Sequence, residues 1–314
     1  MKGFLIKVTL FASLTGIVLG ALSVKIFESE ETSYVRGGII LKHRRLDSVK
    51  GRRIIFAGGS NLAFGLNSKA IQDTFKIPVT NLGLHVALGL DFMLGELKSV
   101  MREGDVIFIS PEYYANEGRY QLKKTAARYY PQASQYFAAT FSDDFTDFFD
   151  SKREQIQMNR VFLLRYLKER ATGKSDTSVY SSHSFNLYGD VVTHLNDNKI
   201  LSLKDKSVFN YRYWDGIAKI NELAKYATLK KVKLYFLFPT YERETFNQNH
   251  QVLEKYQADV QIDLHIPVLN TVNDMVYNTN EYYDTVYHLR KNAREKRTQR
   301  VIEIIKLHPE ILKP

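Results

Sequence analysis

From residue 50 onward the chain alternates short apolar runs with stretches of helical periodicity, which is the sequence form of an α/β domain with a mainly parallel sheet. Two further observations agree. The first two apolar runs each close on glycine, and a composition of 44% hydrophobic and 25% charged over 314 residues suits one large globular unit as well as two average domains. Arg53-Ile54-Ile55-Phe56-Ala57, closed by Gly58-Gly59, predicts a buried first strand, and the turn after it leads towards a helix begun near Ser68. Pro78 to Leu82, ended by Gly83, predicts a second strand. Between Ala87 and Met101, Leu90, Met93, Leu94, Leu97 and Met101 recur at three- and four-residue spacing, as one helical face does. Gly104-Asp105 then turns the chain into a third strand, Val106 to Ile109. Val232 to Phe238 predicts a fourth, stopped by Pro239, Ile262 to Leu269 a weaker fifth, and Ala293 to Leu307 a closing helix.

Two segments stand outside that alternation. Lys2 and Lys7 precede an uncharged run of 17 residues, Val8 to Val24, at the short end of what spans a bilayer. With Glu28, Glu30 and Glu31 soon after it, the positive-inside rule puts the N-terminus in the cytoplasm and the rest of the chain on the other side. Leu19-Gly20-Ala21 is a poor cleavage site, so residues 1–27 are expected to be an uncleaved signal-anchor, 28–49 a juxtamembrane linker and 50–314 the main domain. The second segment, about 111–205, interrupts the domain as an insertion and carries 16 of the chain's 39 Phe and Tyr residues, enough apolar surface to fold. Within it Phe141 to Asp150 places aromatics at helical spacing against aspartates. That stretch is an amphipathic helix burying one face, or a surface for a membrane protein or an acyl chain.

The balance of 44 Lys and Arg against 34 Asp and Glu, a formal charge of +10, points to anionic surroundings. Cysteine is absent, which excludes disulfide frameworks, thiolate zinc sites, iron–sulfur clusters and cysteine nucleophiles. Serine is then the nucleophile to look for. Gly58-Gly59-Ser60-Asn61 follows the first strand directly, where two glycines allow a tight turn and a serine at a helix start can carry an oxyanion on its own amide. A phosphate-binding loop fails at this place: no Lys follows in Walker spacing, the Gly-x-Gly-x-x-Gly order is missing, and Asn81 stands where a ribose-binding acid is wanted. A base with its orienting carboxylate is offered by Asp284 and His288, four residues apart and close together if the segment is a turn. Asp190 and His194 share that spacing but lie inside the insertion, away from the predicted strand ends.

Gly59-Ser60-Asn61 after the first strand, Asn81-Leu82-Gly83 after the second, and Asp284 with His288 before the last helix resemble blocks one, two and five of the SGNH (GDSL-like) hydrolase family. The resemblance covers about residues 50–110 and 230–306. It implies a three-layer α/β/α sandwich, Ser60 as nucleophile, His288 as general base, Asp284 as its orienter, and the amides of Ser60 and Gly83 in the oxyanion hole. The chain departs from the family in three places. Gly-Gly-Ser replaces the usual Gly-Asp-Ser, three residues rather than two separate Asp284 from His288, and the Asn of the third block is replaced by Ser110-Pro111-Glu112-Tyr113-Tyr114, with Asn116 as the substitute side-chain donor. Similar loss is familiar in membrane-anchored DltD-like and AlgJ-like proteins of cell-envelope polymer acylation, which work beside a multispanning acyltransferase.

The expectation is therefore a serine esterase or O-acyltransferase of a bacterial cell membrane, single-pass, with its main domain extracytoplasmic. It would act on an envelope polysaccharide or related acidic polymer through an acyl-serine, without cofactor or metal. Arg290, Lys291 and Arg294, in the basic start of the final helix, either form a solvated face or attract that polymer. Nucleic acid is disfavoured by the expected location and the lack of a binding motif. A non-catalytic SGNH-like binding or assembly protein for a membrane acyltransferase is the alternative.

Overall fold

A computed structural model of the chain describes residues 2–23, 29–138, 153, 156–157, 159–160, 178–199 and 201–313. It divides into two compact units, one of residues 1–33 with 138–181 and one of 34–137 with 182–314. In the first, helix α1 covers Lys2–Ser23 and exposes bulky apolar side chains, among them Phe4, Phe11, Leu14 and Ile17. Among the described residues, no helix is long and apolar enough to cross a membrane. The stretch from Phe141 to Asp150 lies outside the described residues.

The second unit is α/β. Its four-stranded sheet is parallel, in the order β2-β1-β3-β4, from β1 (Ile54–Gly58), β2 (Val79–Asn81), β3 (Val106–Ser110) and β4 (Lys233–Phe236). The strands are mostly apolar on both alternate sets of side chains because both faces of the sheet are covered. Ile55, Ala57, Ile107, Ile109, Leu234 and Phe236 share one core with α5 (Gly89–Val100), α7 (Gly216–Leu229) and α8 (Arg243–Asp263). Ile54, Phe56, Val79, Val106, Phe108 and Tyr235 share the other with α3 (Ser60–Gly65), α4 (Ser68–Phe75) and α9 (Lys291–Leu307). Phe56, Phe108 and Tyr235 stack across three strands at 5.0 and 5.6 Å between ring centres.

The connections explain where a site can form. From β1 the chain leaves into α3 and α4 on one face, and it returns to β3 from α5 on the other. The ends of β1 and β3, which are sheet neighbours with Gly58 paired to Ser110, therefore open a crevice at a topological switch point.

Several elements differ from expectation. Residues 28–49 are not a free linker: α2 runs over Glu30–Ser48 and buries Tyr34, Val35, Gly38, Ile39, Lys42, His43 and Leu46. Lys42 Nζ donates to the carbonyls of Asn81 and Gly189, and burial pushes its pKa down to about 7. The hydrophobic pattern of α2 is hidden by Lys42 and His43, which find backbone carbonyls and the Glu96 carboxylate, respectively, instead of water. The weak fifth strand is one parallel bridge, Phe236 to Val268, and the helix α8 takes its first two residues by continuing through Asp263. A small parallel pair, β5 (Tyr241–Glu242) with β6 (Val276–Tyr277), arises where no run of the sequence was long enough to show it. Within the expected insertion, about 111–205, α6 (Tyr120–Tyr129) and residues 182–199 belong to the sheet-bearing unit.

The buried carboxylate of Asp190 ties three elements of that unit together. It accepts from the amide and hydroxyl of Ser68 at 2.9 and 2.6 Å, from Asn81 Nδ2 at 2.9 Å and from Arg294 at 3.3 Å. Asp190→Ala leaves the buried Arg294 guanidinium without its buried anion, with only the exposed Glu295 carboxylate at 3.7 Å, and is expected to cost about 3–5 kcal/mol, read by urea unfolding.

Candidate active site

Ser60 sits at the first position of α3, one residue past Gly59, so the strand-turn-helix places its side chain at the crevice between the ends of β1 and β3. Its amide lies in the first helical turn and has no intrahelical acceptor. The two glycines before it are required by close approach. A Cβ at Gly58 would overlap the Ser110 carbonyl, and one at Gly59 would overlap the Glu112 carboxylate.

Asp284 and His288 come from a tight loop. Tyr282 and Leu289 form an antiparallel bridge, and the Tyr283 amide donates to the His288 carbonyl at 2.7 Å. The three intervening residues bulge between these closures, which lets Asp284 reach beneath the ring: His288 Nδ1 to Asp284 Oδ1 is 2.8 Å, and His288 Nε2 to Ser60 Oγ is 2.8 Å. With Asp284 as acceptor, Nδ1 carries the proton, so Nε2 presents a lone pair to the serine hydroxyl. The loop is fastened from outside by the Lys204 amide, which donates to the Asp284 carbonyl at 2.9 Å, and by the Val286 amide, which donates to the Lys204 carbonyl at 3.2 Å.

The imidazole of His288 lies flat on Phe64, with ring centres 3.9 Å apart and planes 6° from parallel. His194 packs on Phe64 at 4.8 Å and donates from Nε2 to the carbonyl of Leu289, next to the base. Its place corrects the expectation that it lies away from the strand ends. Burial pushes its pKa down to about 4, against the raising effect of the Leu289 carbonyl, and its Nδ1 has no partner.

Asn61 holds the nucleophile turn still. Its amide donates to Glu112 Oε1 at 2.9 Å, its Nδ2 to the Ser110 carbonyl at 2.9 Å, and its carbonyl and Oδ1 accept from Arg297 at 2.6 and 2.8 Å. Arg297 is buried under α3, and burial pushes it down to about 10. In the sequence Glu112 shows only as part of the segment that replaces an asparagine. The signal available was register: Gly58 pairs with Ser110, so Ser60 and Glu112 each stand two residues beyond a paired position.

Other expected site residues lie differently. The Gly83 amide donates to Asn81 Oδ1 at 3.0 Å rather than facing an oxyanion, and the lack of a side chain there serves packing on Leu62 and the Gly59 carbonyl. Asn116 is exposed and accepts from the Gly118 amide at 3.0 Å, so it closes a local turn instead of lending a donor. The basic patch largely dissolves. Arg294 is buried on the Leu66 carbonyl and Asp190, and Arg290 clamps the carbonyls of Tyr282, Asp197 and Lys199. Lys291 alone of the three is exposed. Beside the Ser60 turn runs a slot of about 20 Å3, room for one water, walled by Gly58, Gly59, Leu82, Leu90, Met93 and Glu112.

No family model matches the chain, and no curated protein matches it.

His194 ties this centre to acid stability. Its unfolded pKa is near 6.5 and its folded one about 4, so in that window the unfolded state holds a proton that the folded state lacks. Stability is therefore lost as pH falls from 6.5 to 4, by about 3 kcal/mol from this group. His194→Gln is expected to flatten that limb in urea unfolding measured between pH 4 and 7.

Proposed function

We propose that the chain is a serine acyl-transfer enzyme, an O-acyltransferase or esterase working through an acyl-Ser60 intermediate. The observation that carries this reading is the chain Asp284–His288–Ser60, two hydrogen bonds of 2.8 Å that run from a buried carboxylate to a helix-start hydroxyl. In the first half-reaction Ser60 Oγ attacks an acyl carbonyl carbon, and its proton passes to His288 Nε2. Asp284 keeps Nδ1 protonated and stabilises the imidazolium. Negative charge on the former carbonyl oxygen is met by the Ser60 amide at the start of α3. The tetrahedral intermediate collapses, and the imidazolium gives its proton to the leaving oxygen. In the second half-reaction a water or a polymer hydroxyl loses its proton to His288 and attacks the acyl carbon, and as the acyl–Oγ bond breaks the imidazolium returns that proton to Ser60 Oγ.

The finer reading rests on the resemblance to SGNH-like, DltD-like and AlgJ-like proteins. It takes the fold as a three-layer α/β/α sandwich, the acceptor as an envelope polysaccharide or related polymer, and a multispanning acyltransferase as the source of the acyl group. Two of the chain's departures from that family fall on one contact, since an aspartate in place of Gly59 would collide with Glu112. The same Glu112, standing where a donor is expected, is the observation that favours the second reading, a non-catalytic assembly protein of the same fold. The membrane anchor at residues 1–27 is supported by the two lysines ahead of the uncharged run and by the exposed apolar side chains of α1.

A fluorophosphonate probe separates the two readings. Wild-type protein is expected to be labelled at Ser60 and Ser60→Ala not at all, with Asp284→Asn slower by about 10³–10⁴ because the tautomer is lost. An unlabelled, folded wild type supports the assembly reading instead. For the anchor, deletion of residues 2–23 is expected to move the protein from a carbonate-washed membrane fraction to the soluble one; retention on the membrane without them counts against it.

A further inference from the structure

We infer that Glu112 is an internal anion that restrains acyl transfer at Ser60, a rate-setting residue rather than a donor. The inference rests on Ser60 being the nucleophile. The carboxylate lies against Gly59 so closely that no Cβ fits there, and its Oε1 already takes the amide of Asn61, next to the amide of Ser60 in the same helical turn. It is buried, at 3% exposure, and among the described residues it forms no ion pair. The Arg297 guanidinium feels the charge of Glu112 but is directed to the oxygens of Asn61 rather than to Glu112.

The place where negative charge must gather during attack is therefore flanked by a carboxylate of the chain itself. Hydrogen-bond donors aimed at a developing oxyanion lower the barrier, and an acceptor of like charge beside it raises the barrier by the same physics. Gly83, whose amide is engaged with Asn81, and Asn116, engaged with Gly118, do not offset it. Glutamine at 112 has nearly the same shape, keeps an oxygen for the Asn61 amide, and replaces the second acceptor by a donor.

The test uses the full chain in detergent with a fluorophosphonate, which Ser60 Oγ attacks at phosphorus. The O–P bond forms, the P–F bond breaks with loss of fluoride, and the hydroxyl proton passes to His288, while charge gathers on the phosphoryl oxygen. Glu112→Gln is expected to raise the maximal labelling rate about tenfold or more, with the concentration for half-maximal rate little changed. A purely structural role for Glu112 predicts no acceleration in any variant. An equal or slower maximal rate in folded Glu112→Gln overturns the inference while leaving Ser60 labelled. Should Glu112→Gln lose its cooperative unfolding transition, Glu112→Ala is judged by the same criterion. No labelling in wild type or either variant overturns the serine reading, and this inference with it.

Discussion

The grip on Asn61 is the constraint on which the rest of the site depends. Four groups hold this residue, from the Glu112 carboxylate, the Ser110 carbonyl and both terminal nitrogens of Arg297. They come from the end of β3, the loop beyond it and the closing helix, elements far apart in the chain. Because Ser60 is the preceding residue, its hydroxyl inherits that fixed position. A buried side chain with every polar group matched has one low-energy arrangement, and loosening any partner leaves a desolvated group unpaired.

The imidazole is fixed by different means. Its edge is held by the carboxylate of Asp284 and its face by Phe64, a residue of the same short helix that begins with Ser60. Nucleophile and base are thus referenced to one rigid piece of backbone, and the hydrogen bond between them does not depend on the relative motion of distant loops. Behind Phe64 stands a neutral His194, which adds an aromatic wall without adding a like charge next to the base. That neutrality follows from burial, since the charged form would lose its hydration and the weaker pull of Asp284 does not replace it.

A formal charge of +10 does not say which of the cations reach the surface. Arg53, Arg294, Arg297 and Lys42 are all buried, and they spend their donors on Asp105, Asp190 and backbone carbonyls. Cations used in this way close loops and helix ends where the backbone has no strand or helix partner. The long stem of each packs with the core while the head satisfies oxygen atoms. The polymer-attracting role expected of the final helix is weakened for this reason, and its contribution to the architecture is correspondingly larger.

The strands, the helix after the second strand and the closing helix were legible because both periodicity and glycine punctuation are local properties of the chain. Ser60, Asp284 and His288 were legible for a similar reason: a serine after Gly-Gly and a carboxylate four residues before an imidazole are short patterns, and their chemistry narrows the choice. Residues 30–48 looked like a linker because Lys42 and His43 read as polar, although their partners lie elsewhere in the chain. Glu112, Phe64 and Arg297 carried no local signal, and the spacing of His194 behind Asp190 did not show its place beside Phe64. Their roles come from strand register and from segments 51 to 236 residues apart, and a burial or hydrogen bond of that range exists only once the sheet and its two cores have formed.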